Sequence, residues 1–361
     1  MLDDSCQRGD LLVQEPCQRR SGILSLLAHA LSHYVSIGLV HPYRFVVKGK
    51  GYKEAQMLEA TVDVDRYSTI KDQIHGRSIV RQLNADDVAK WSGHLRSSQF
   101  GLQDAIDALK AGMDLWELDV QSRIQAIYVC LPNAASTWHR FKFERCIARV
   151  VALMETLGST TPLSYIIIPT ASLRTWPPRG APVEASHING AFTYRGPAHN
   201  GLVIVHRYEE YPKVMLHEAL HHTRIDPMAN AHAFHVGKVI IPNVLWSEAV
   251  VEAFADVYNV CFVAAESGMK VNALIEKERR HAAHMAACVL QRIRSQGGWT
   301  ETTNAFAYVV IRHIILENGY FGLAALERDL KTWSYGTVIA KFADVGTNAD
   351  KSMRLTIFGD C

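Results

Sequence analysis

The spacing of apolar and polar residues predicts helices and short strands in the first third of the chain. Ser21–Tyr43 contains no Lys, Arg, Asp or Glu and predicts one long apolar helix. Short strands are predicted at Tyr43–Val47 and Leu58–Val64, with a glycine-containing turn between them. From Leu102 to Leu131 the apolar residues recur at helical spacing, and the following Pro132 breaks this pattern. We therefore expect a mixed helical and strand region before residue 131.

The pattern after residue 131 predicts a larger domain that is helical towards its end. A helix is predicted at Ser136–Leu157, followed by strands at Ser164–Pro169, His187–Tyr194 and Gly201–Arg207. Further helices are predicted within Tyr211–Asp226, Val244–Ala264, Val271–Ser295 and Thr302–Glu317. We thus divide the chain into a polar N-terminal arm at 1–20, a mixed α/β region at 21–131 and a domain at 132–361.

The first of these later helices contains the sequence His217-Glu218-Ala219-Leu220-His221, which fits the pattern H-E-x-x-H. On a helix, the two histidines lie one turn apart on the same face, where one metal ion can bind both. Glu218 follows the first histidine and can accept a proton from a water molecule beside the ion. The alternative is a chance match on a buried, His-rich helix. We favour a metal site because the surrounding residues supply further ligands.

A catalytic zinc ion usually has three protein ligands and one position for water. A third histidine six residues after His221 would define a metzincin, but Pro227 occupies that position and Arg224 replaces the required glycine. The third ligand is therefore expected to be a glutamate on the next helix. The sequence there offers two of them, Glu248 and Glu252.

We assign Glu248 as the metal ligand and Glu252, one turn later, as the acid that orients a ligand histidine. The string S-E-A-V-V-E that begins at Ser247 resembles the N-E-A-x-x-D string of thermolysin-like enzymes, which are gluzincins. In the alternative register, Glu252 binds the metal and Asp256 orients the histidine. The helix is otherwise almost entirely apolar, and buried carboxylates need a cation or hydrogen-bond donors.

A longer stretch resembles an uncharacterised group of HExxH metallopeptidases found mainly in large DNA viruses and some protists. The matching strings are HINGAFT, RYEEYPKV, HEALHHTRID, SEAVVEAFA and ETTNAFAYVVIRHIIL, and together they cover roughly residues 165–316. This chain departs from the group at Pro212, where an aromatic residue is usual. The resemblance implies an α+β, zincin-like catalytic domain in which an edge strand beside the cleft pairs with an extended peptide.

The resemblance also implies residues beyond the metal ligands. Gluzincins polarise the substrate carbonyl with a Tyr or His, and Tyr308 is our first candidate, with His313 second. In the edge strand, Asn189 and Ala191 are expected to present their backbone to substrate, and Gly190 allows the substrate to approach closely. His232 is the reserve ligand if neither glutamate binds the ion.

The overall composition excludes several other classes of protein. Hydrophobic residues make up 48% of the chain, charged residues 20%, and the net charge of +2 gives no argument for nucleic acid or an anionic membrane. The seven cysteines include no CxxC pair, which indicates a reducing compartment, and the polar first twenty residues do not resemble a secretory signal. We therefore expect a cytoplasmic protein, located in the host cytoplasm or the virion if it is viral.

Together these patterns predict a zinc-dependent metallopeptidase of the gluzincin type that binds one Zn²⁺ and a protein or peptide substrate. The rival hypothesis is a non-catalytic viral structural or assembly protein that retains a zincin fold, associating with a viral particle or with itself. A third interpretation, a membrane-tethered protease, depends on Ser21–Tyr43, which we expect to be a buried or partner-facing helix instead.

Overall fold

The computed structural model describes most of the chain after residue 61. The described residues are 43–44, 56–57, 59–60, 62–75, 78–97, 102–118, 124–132, 137–159, 163–194, 201–223, 231–321 and 352–358. They all belong to one compact unit within Val40–Cys361. The predicted arm at 1–20 and nearly all of the predicted helix at Ser21–Tyr43 lie outside the described residues.

The strands are mostly short. They are β1 (Tyr43–Arg44), β2 (Gln56–Met57), β3 (Glu59–Ala60), β4 (Ser78–Gln82), β5 (Met113–Leu118), β6 (Ile124–Pro132), β7 (Leu163–Thr170), β8 (Ala191–Tyr194), β9 (Leu202–Arg207), β10 (His232–Val236), β11 (Val239–Val244) and β12 (Tyr320–Phe321). Six of them form one mixed sheet in the order β4-β5-β6-β7-β9-β8, in which β6, β7 and β9 run parallel and the other pairs are antiparallel. Strand β8 is therefore at one edge of this sheet.

The helices are concentrated in the second half of the chain. They are α1 (Val64–His75), α2 (Ala85–Ser97), α3 (Gln103–Lys110), α4 (Thr137–Thr156), α5 (Ala185–Ile188), α6 (Tyr211–His222), α7 (Trp246–Ser267), α8 (Val271–Gln296) and α9 (Arg312–Asn318), with a π-helical turn at Ala307–Ile311 just before α9. No helix of the described part combines the length and the apolar composition that crossing a bilayer requires.

Both faces of the sheet are covered, which explains why its central strands are continuous apolar runs. Val203 and Val205 of β9 belong to the large core that contains α4, α6, α7 and α8. Leu202 and Ile204 point to the opposite face, where they pack with α2 and α3. The predicted α+β class is confirmed as a mixture of helices with small sheets.

The predicted helix from Leu102 to Leu131 is wrong in its second half. Helix α3 ends at Lys110, Gly112 adopts a φ of 92°, and strands β5 and β6 follow. The apolar residues Met113 and Leu115 also fit the two-residue alternation of a strand, so their spacing did not distinguish the two structures. The predicted boundary near residue 131 falls inside β6, whose partners in the sheet come from both sides of it.

Two smaller predictions also need correction. The segment predicted as a strand at His187–Tyr194 begins instead with the end of the short helix α5, and its strand is only Ala191–Tyr194. The connection predicted between residues 227 and 243 contains the hairpin β10–β11. The remaining order, which is strand, edge strand, strand and then the helix with the two histidines, is observed as β7, β8, β9 and α6.

Candidate metal centre

Helix α6 holds His217 and His221 rigidly because it is buried along nearly all of its length. All residues from Tyr211 to His221 are buried, and Pro212 lies in the first turn, where its missing N–H leaves no broken hydrogen bond. The two imidazole rings lie 4.7 Å apart, and their Nε2 atoms are separated by 3.0 Å. The predicted pairing of the two histidines on one face is therefore observed.

Helix α7 brings the carboxylate of Glu248 to the same point. Its Oε2 atom is 3.3 Å from His221 Nε2 and 3.7 Å from His217 Nε2. Ligand atoms arranged tetrahedrally around zinc, at about 2.0–2.2 Å from it, lie roughly 3.3 Å from one another. The three side chains thus form a group that can hold a metal ion, and no other set of His, Cys, Asp or Glu in the described residues converges in this way.

Glu252 contacts the other nitrogen of His217. Its Oε2 atom is 2.6 Å from Nδ1, while the remaining oxygen accepts a hydrogen bond from the buried ammonium group of Lys213. A carboxylate in this position holds the ring so that Nε2 faces the candidate ion. Glu252 therefore occupies the position predicted for an orienting acid. The geometry favours the register in which Glu248, and not Glu252, is the metal ligand.

In the alternative register, Asp256 would orient a ligand histidine, but its carboxylate contacts Lys213 and Arg312 instead. Its two oxygens lie 3.5 Å from Lys213 Nζ and 3.0 Å from Arg312 Nη1. All three side chains are completely buried. Asp256 therefore neutralises the cations behind Glu252 and supports the site from a distance.

These charges determine the protonation of the site in the metal-free protein. Burial alone would favour the neutral form of His217. The adjacent carboxylates of Glu248 and Glu252 have the larger effect and raise the pKa of the ring to about 10. Burial likewise opposes the charged form of Glu248, yet His217 and His221 lower the pKa of this carboxyl group well below its usual range. In the absence of a metal, these carboxylates therefore favour the protonated form of His217.

Glu218 lies beside the candidate ligands and is 7% exposed. One of its carboxylate oxygens accepts a hydrogen bond from the hydroxyl group of Thr193 on β8. Glu218 also lines a small pocket whose wall contains His217, Glu252, Tyr308 and Leu355. The carboxylate of Glu218 is thus held next to His217 and Tyr308.

Tyr308 also reaches the group. Its hydroxyl group is 3.4 Å from Glu248 Oε2, and its ring lies 6.0 Å from that of His217. Burial and the neighbouring carboxylates raise the pKa of this phenol well above its usual value, so it remains a hydrogen-bond donor. The π-helical turn, a feature that often occurs at functional sites, carries Tyr308. The second candidate, His313, is buried in α9, and His232 lies in β10, outside the convergent group.

The predicted substrate-binding residues lie along the start of β8. The carbonyl of Gly190 accepts a hydrogen bond from His206 N–H, so this residue faces β9. Backbone groups alternate in direction along a strand, so those of Ala191 point away from β9 towards the sheet edge. The side chain of Asn189 accepts a hydrogen bond from Thr303 at 2.9 Å, which ties the strand to the loop before Tyr308. A Cβ atom on Gly190 would lie 3.1 Å from Arg174 Nη2, so only glycine fits there without a shift.

The segment Ser352–Phe358 packs against buried charged residues next to the candidate metal group. The backbone N–H of Thr356 donates to Glu210 at 2.6 Å, and its hydroxyl group donates to Glu278 at 2.7 Å. Burial raises the pKa of Glu278 to about 8. Leu355 of the same segment lines the small pocket. Residues that are distant in sequence therefore complete the buried charge network next to the candidate metal group.

Several contributors were not identified from the sequence, namely Thr193, Lys213, Arg174, Arg312 and the segment Ser352–Phe358. Two of them had usable signals. Lys213 precedes His217 by four residues, which places both on one face of a helix. Thr193 follows Ala191 by two residues, which places both on one face of a strand. Arg312 and Thr356 reach the site only through the tertiary fold.

Compared with protein-family models, with curated proteins and with solved structures, the chain matches none. The geometry and chemistry of the site therefore carry the functional conclusion.

Proposed function

We propose that this protein is a zinc-dependent metallopeptidase of the gluzincin type, with a zincin-like catalytic domain. The observation that carries the proposal is the convergence of His217, His221 and Glu248, with Glu218 fixed beside them. Two imidazoles and one carboxylate are a common ligand set of catalytic zinc in peptidases. The order β7, β8, β9 and α6, with β8 at the sheet edge, supports the zincin-like assignment.

When bound, the zinc ion would supply Lewis acidity, which activates water and polarises a substrate carbonyl. His217, His221 and Glu248 would hold the ion, and Glu252 would keep His217 in the tautomer that offers Nε2. The 18% exposure of the Glu248 side chain leaves the group open towards solvent. Such an opening would admit the water or substrate that a catalytic zinc ion binds in its fourth position.

Glu218 would act as the general base. It takes one proton from water as the water oxygen bonds to the carbonyl carbon, and later delivers that proton to the leaving amine when the C–N bond breaks. The phenol of Tyr308 would donate a hydrogen bond to the oxyanion that develops on the carbonyl oxygen. The backbone of Ala191, on the side of β8 away from β9, would pair with an extended peptide.

The test of this function is the variant Glu218→Gln. The purified variant should retain one zinc per chain, measured by elemental analysis, and should lose at least about 1,000-fold in kcat on a peptide library that the parent cleaves. Glu276→Gln, at an exposed position of α8, serves as a matched control and should retain full activity. Glu248→Gln should instead lose the metal. A Glu218→Gln variant as active as the parent would contradict the mechanism.

A second candidate is a non-catalytic assembly protein with the same fold, viral or otherwise. One observation favours it: His217, Glu248, Glu252 and Lys213 neutralise one another, so the site can stay folded without an ion. Zinc content and peptide cleavage by the parent protein separate the two candidates. A parent that binds no zinc and cleaves no peptide supports the assembly protein.

A further inference from the structure

Thr193 occupies the edge strand at the level of the candidate general base. Side chains alternate along β8, so Phe192 and Tyr194 pack into the core beside α2 and α3. Ala191 belongs to the opposite core, which contains α6. Thr193 lies on the same face as Ala191, and its hydroxyl group donates a hydrogen bond to Glu218 Oε2. The hydroxyl group therefore connects the sheet edge directly to the carboxylate.

The backbone N–H and C=O groups of Thr193 point to the open edge of the sheet, away from β9. Because Gly190 forms a hydrogen bond with His206 of β9, Phe192 and Tyr194 also face β9 in this antiparallel register. The N–H and C=O groups of Thr193 consequently point away from β9, to the side where no described strand pairs with β8. An extended peptide that adds to this edge would bond to the same residue whose side chain holds Glu218.

We propose that Thr193 is a positioning residue for Glu218, and that it links occupation of the sheet edge to the orientation of the general base. This inference rests on the proposed peptidase function. A hydroxyl group has a single proton, and donating it to Oε2 restricts rotation of the carboxylate. Oε1 is then the oxygen that receives the proton from water. A peptide held by the backbone of Thr193 further immobilises the strand and, through it, the base.

The matched variants are Thr193→Val, which keeps the shape of the side chain and removes the hydroxyl group, and Thr193→Ser, which restores the hydroxyl group. Thr193→Val should lower kcat by about 10- to 100-fold while KM changes by less than about twofold, because ground-state pairing with the backbone is retained. Thr193→Ser should recover kcat to within about threefold of the parent. Thr69→Val, at an exposed threonine on α1, should change neither constant.

Zinc content and hydroxamate affinity give readouts that do not depend on turnover. All Thr193 variants should retain one zinc per chain. A peptide hydroxamate binds zinc through its oxygens and hydrogen-bonds to the adjacent glutamate, so its dissociation constant reports the position of Glu218. Thr193→Val should weaken its binding to the zinc-loaded protein by about tenfold, and Thr193→Ser should restore it.

The outcomes distinguish failure of this proposal from failure of the proposed function. If the parent binds zinc but cleaves no peptide, the peptidase assignment fails, and hydroxamate affinity alone decides the role of Thr193. Unchanged affinity and unchanged kcat in Thr193→Val would overturn the proposal. Loss of zinc from Thr193→Val would assign the hydroxyl group to the integrity of the metal centre and would also overturn it. Failure of Thr193→Ser to recover function would show that packing, and not the hydroxyl group, is what matters.

Discussion

At the scale of single residues, the two ring nitrogens of His217 have different roles. Nδ1 faces Glu252 at 2.6 Å, and Nε2 faces His221 and Glu248. In the metal-free protein the neighbouring carboxylates raise the pKa of the ring to about 10, which favours the form with a proton on both nitrogens. A metal bound at Nε2 would displace the proton on that nitrogen, while Nδ1 would keep its close contact with the Glu252 carboxylate.

This arrangement predicts opposite effects of pH on the metal-free and metal-bound proteins. The pKa of His217 is raised from 6.5 to about 10, so its contribution to metal-free stability is complete below pH 6.5 and is lost as pH rises towards 10. Zinc binding displaces this proton, so zinc affinity should rise about tenfold per pH unit between pH 7 and 10. Thermal unfolding with and without zinc, at pH values across this window, measures both effects.

Calorimetry in two buffers with different ionisation enthalpies should show release of about one proton per zinc at pH 7.5. The variant His235→Gln, at an exposed position in β10, should leave the pH dependence intact. A zinc affinity that is flat across the window would contradict the assigned charge on His217.

How much of the site could be predicted from the sequence depends on where each partner lies. His217, Glu218 and His221 are neighbours on one helix, and Glu248 and Glu252 are one turn apart on another, so the motif and its helical spacing identified them as candidates. The resemblance to thermolysin-like enzymes then favoured Glu248 as the ligand. Thr193 is 25 positions from Glu218, and Lys213 is 39 positions from Glu252. Local spacing gives the face of the element on which Thr193 and Lys213 lie, but their contacts with other elements arise only when β8 and α7 pack against α6.

At the scale of elements, helix α6 begins at an unusual residue. Glu210 is its N-cap, with a φ of 62°, in the left-handed region that favours glycine. It is completely buried, forms an ion pair with Arg174 and accepts the N–H of Thr356. The backbone strain costs roughly 1–3 kcal/mol, whereas breaking a buried ion pair costs about 3–5 kcal/mol. The ion pair therefore explains why a glutamate is tolerated there.

We predict that Glu210→Gly destabilises the protein by about 2 kcal/mol or more, although glycine suits the backbone angle. Urea unfolding monitored by circular dichroism measures the change in the free energy of unfolding. Glu210→Gln, which keeps the shape and removes the charge, should also be destabilising because Arg174 would remain buried without its anion. A glycine variant more stable than the parent would show that strain outweighs the ion pair.

The predictions of helices and strands were correct where the apolar pattern fits only one type of secondary structure. Strand β7 and helices α7 and α8 agree with their predicted bounds to within three residues. The region from Met113 to Leu131 failed because an apolar residue at every second or third position suits a strand and a helix equally. Strand pairing decided between them, since β5 and β6 complete a sheet whose other strands follow later in the chain.

At the scale of the whole molecule, an ion-pair cluster joins the early helix α1 to the later helices α4 and α7. Arg149 on α4 donates two hydrogen bonds to Glu266 on α7, at 2.8 and 2.6 Å, and a third to Asn259 at 2.9 Å. The hydroxyl group of Tyr67 on α1 donates to the same glutamate. A second pair, Arg66 with Glu155, links α1 to α4 at the surface.

The two ion pairs should differ strongly in their contribution to stability. Arg149 has a 1% exposed side chain, so Arg149→Met leaves Glu266 without its main partner and should cost about 3–5 kcal/mol. Arg66 is 43% exposed, and Arg66→Met should cost less than about 1 kcal/mol. Urea unfolding of the two variants provides the comparison, each serving as the other's control. Equal losses would contradict a special role for the buried cluster.

The docked segment Ser352–Phe358 has a consequence for biosynthesis. Its Ser352 bonds to the carbonyl of Arg174, which is 178 residues earlier in the chain. A ribosome adding about 5–20 residues per second needs roughly 10 to 35 s to cover that distance. Glu210 is translated 146 residues before Thr356, whose backbone N–H is its hydrogen-bond donor in this segment. The buried charge network around Glu210 and Glu278 is therefore complete only after synthesis reaches Thr356.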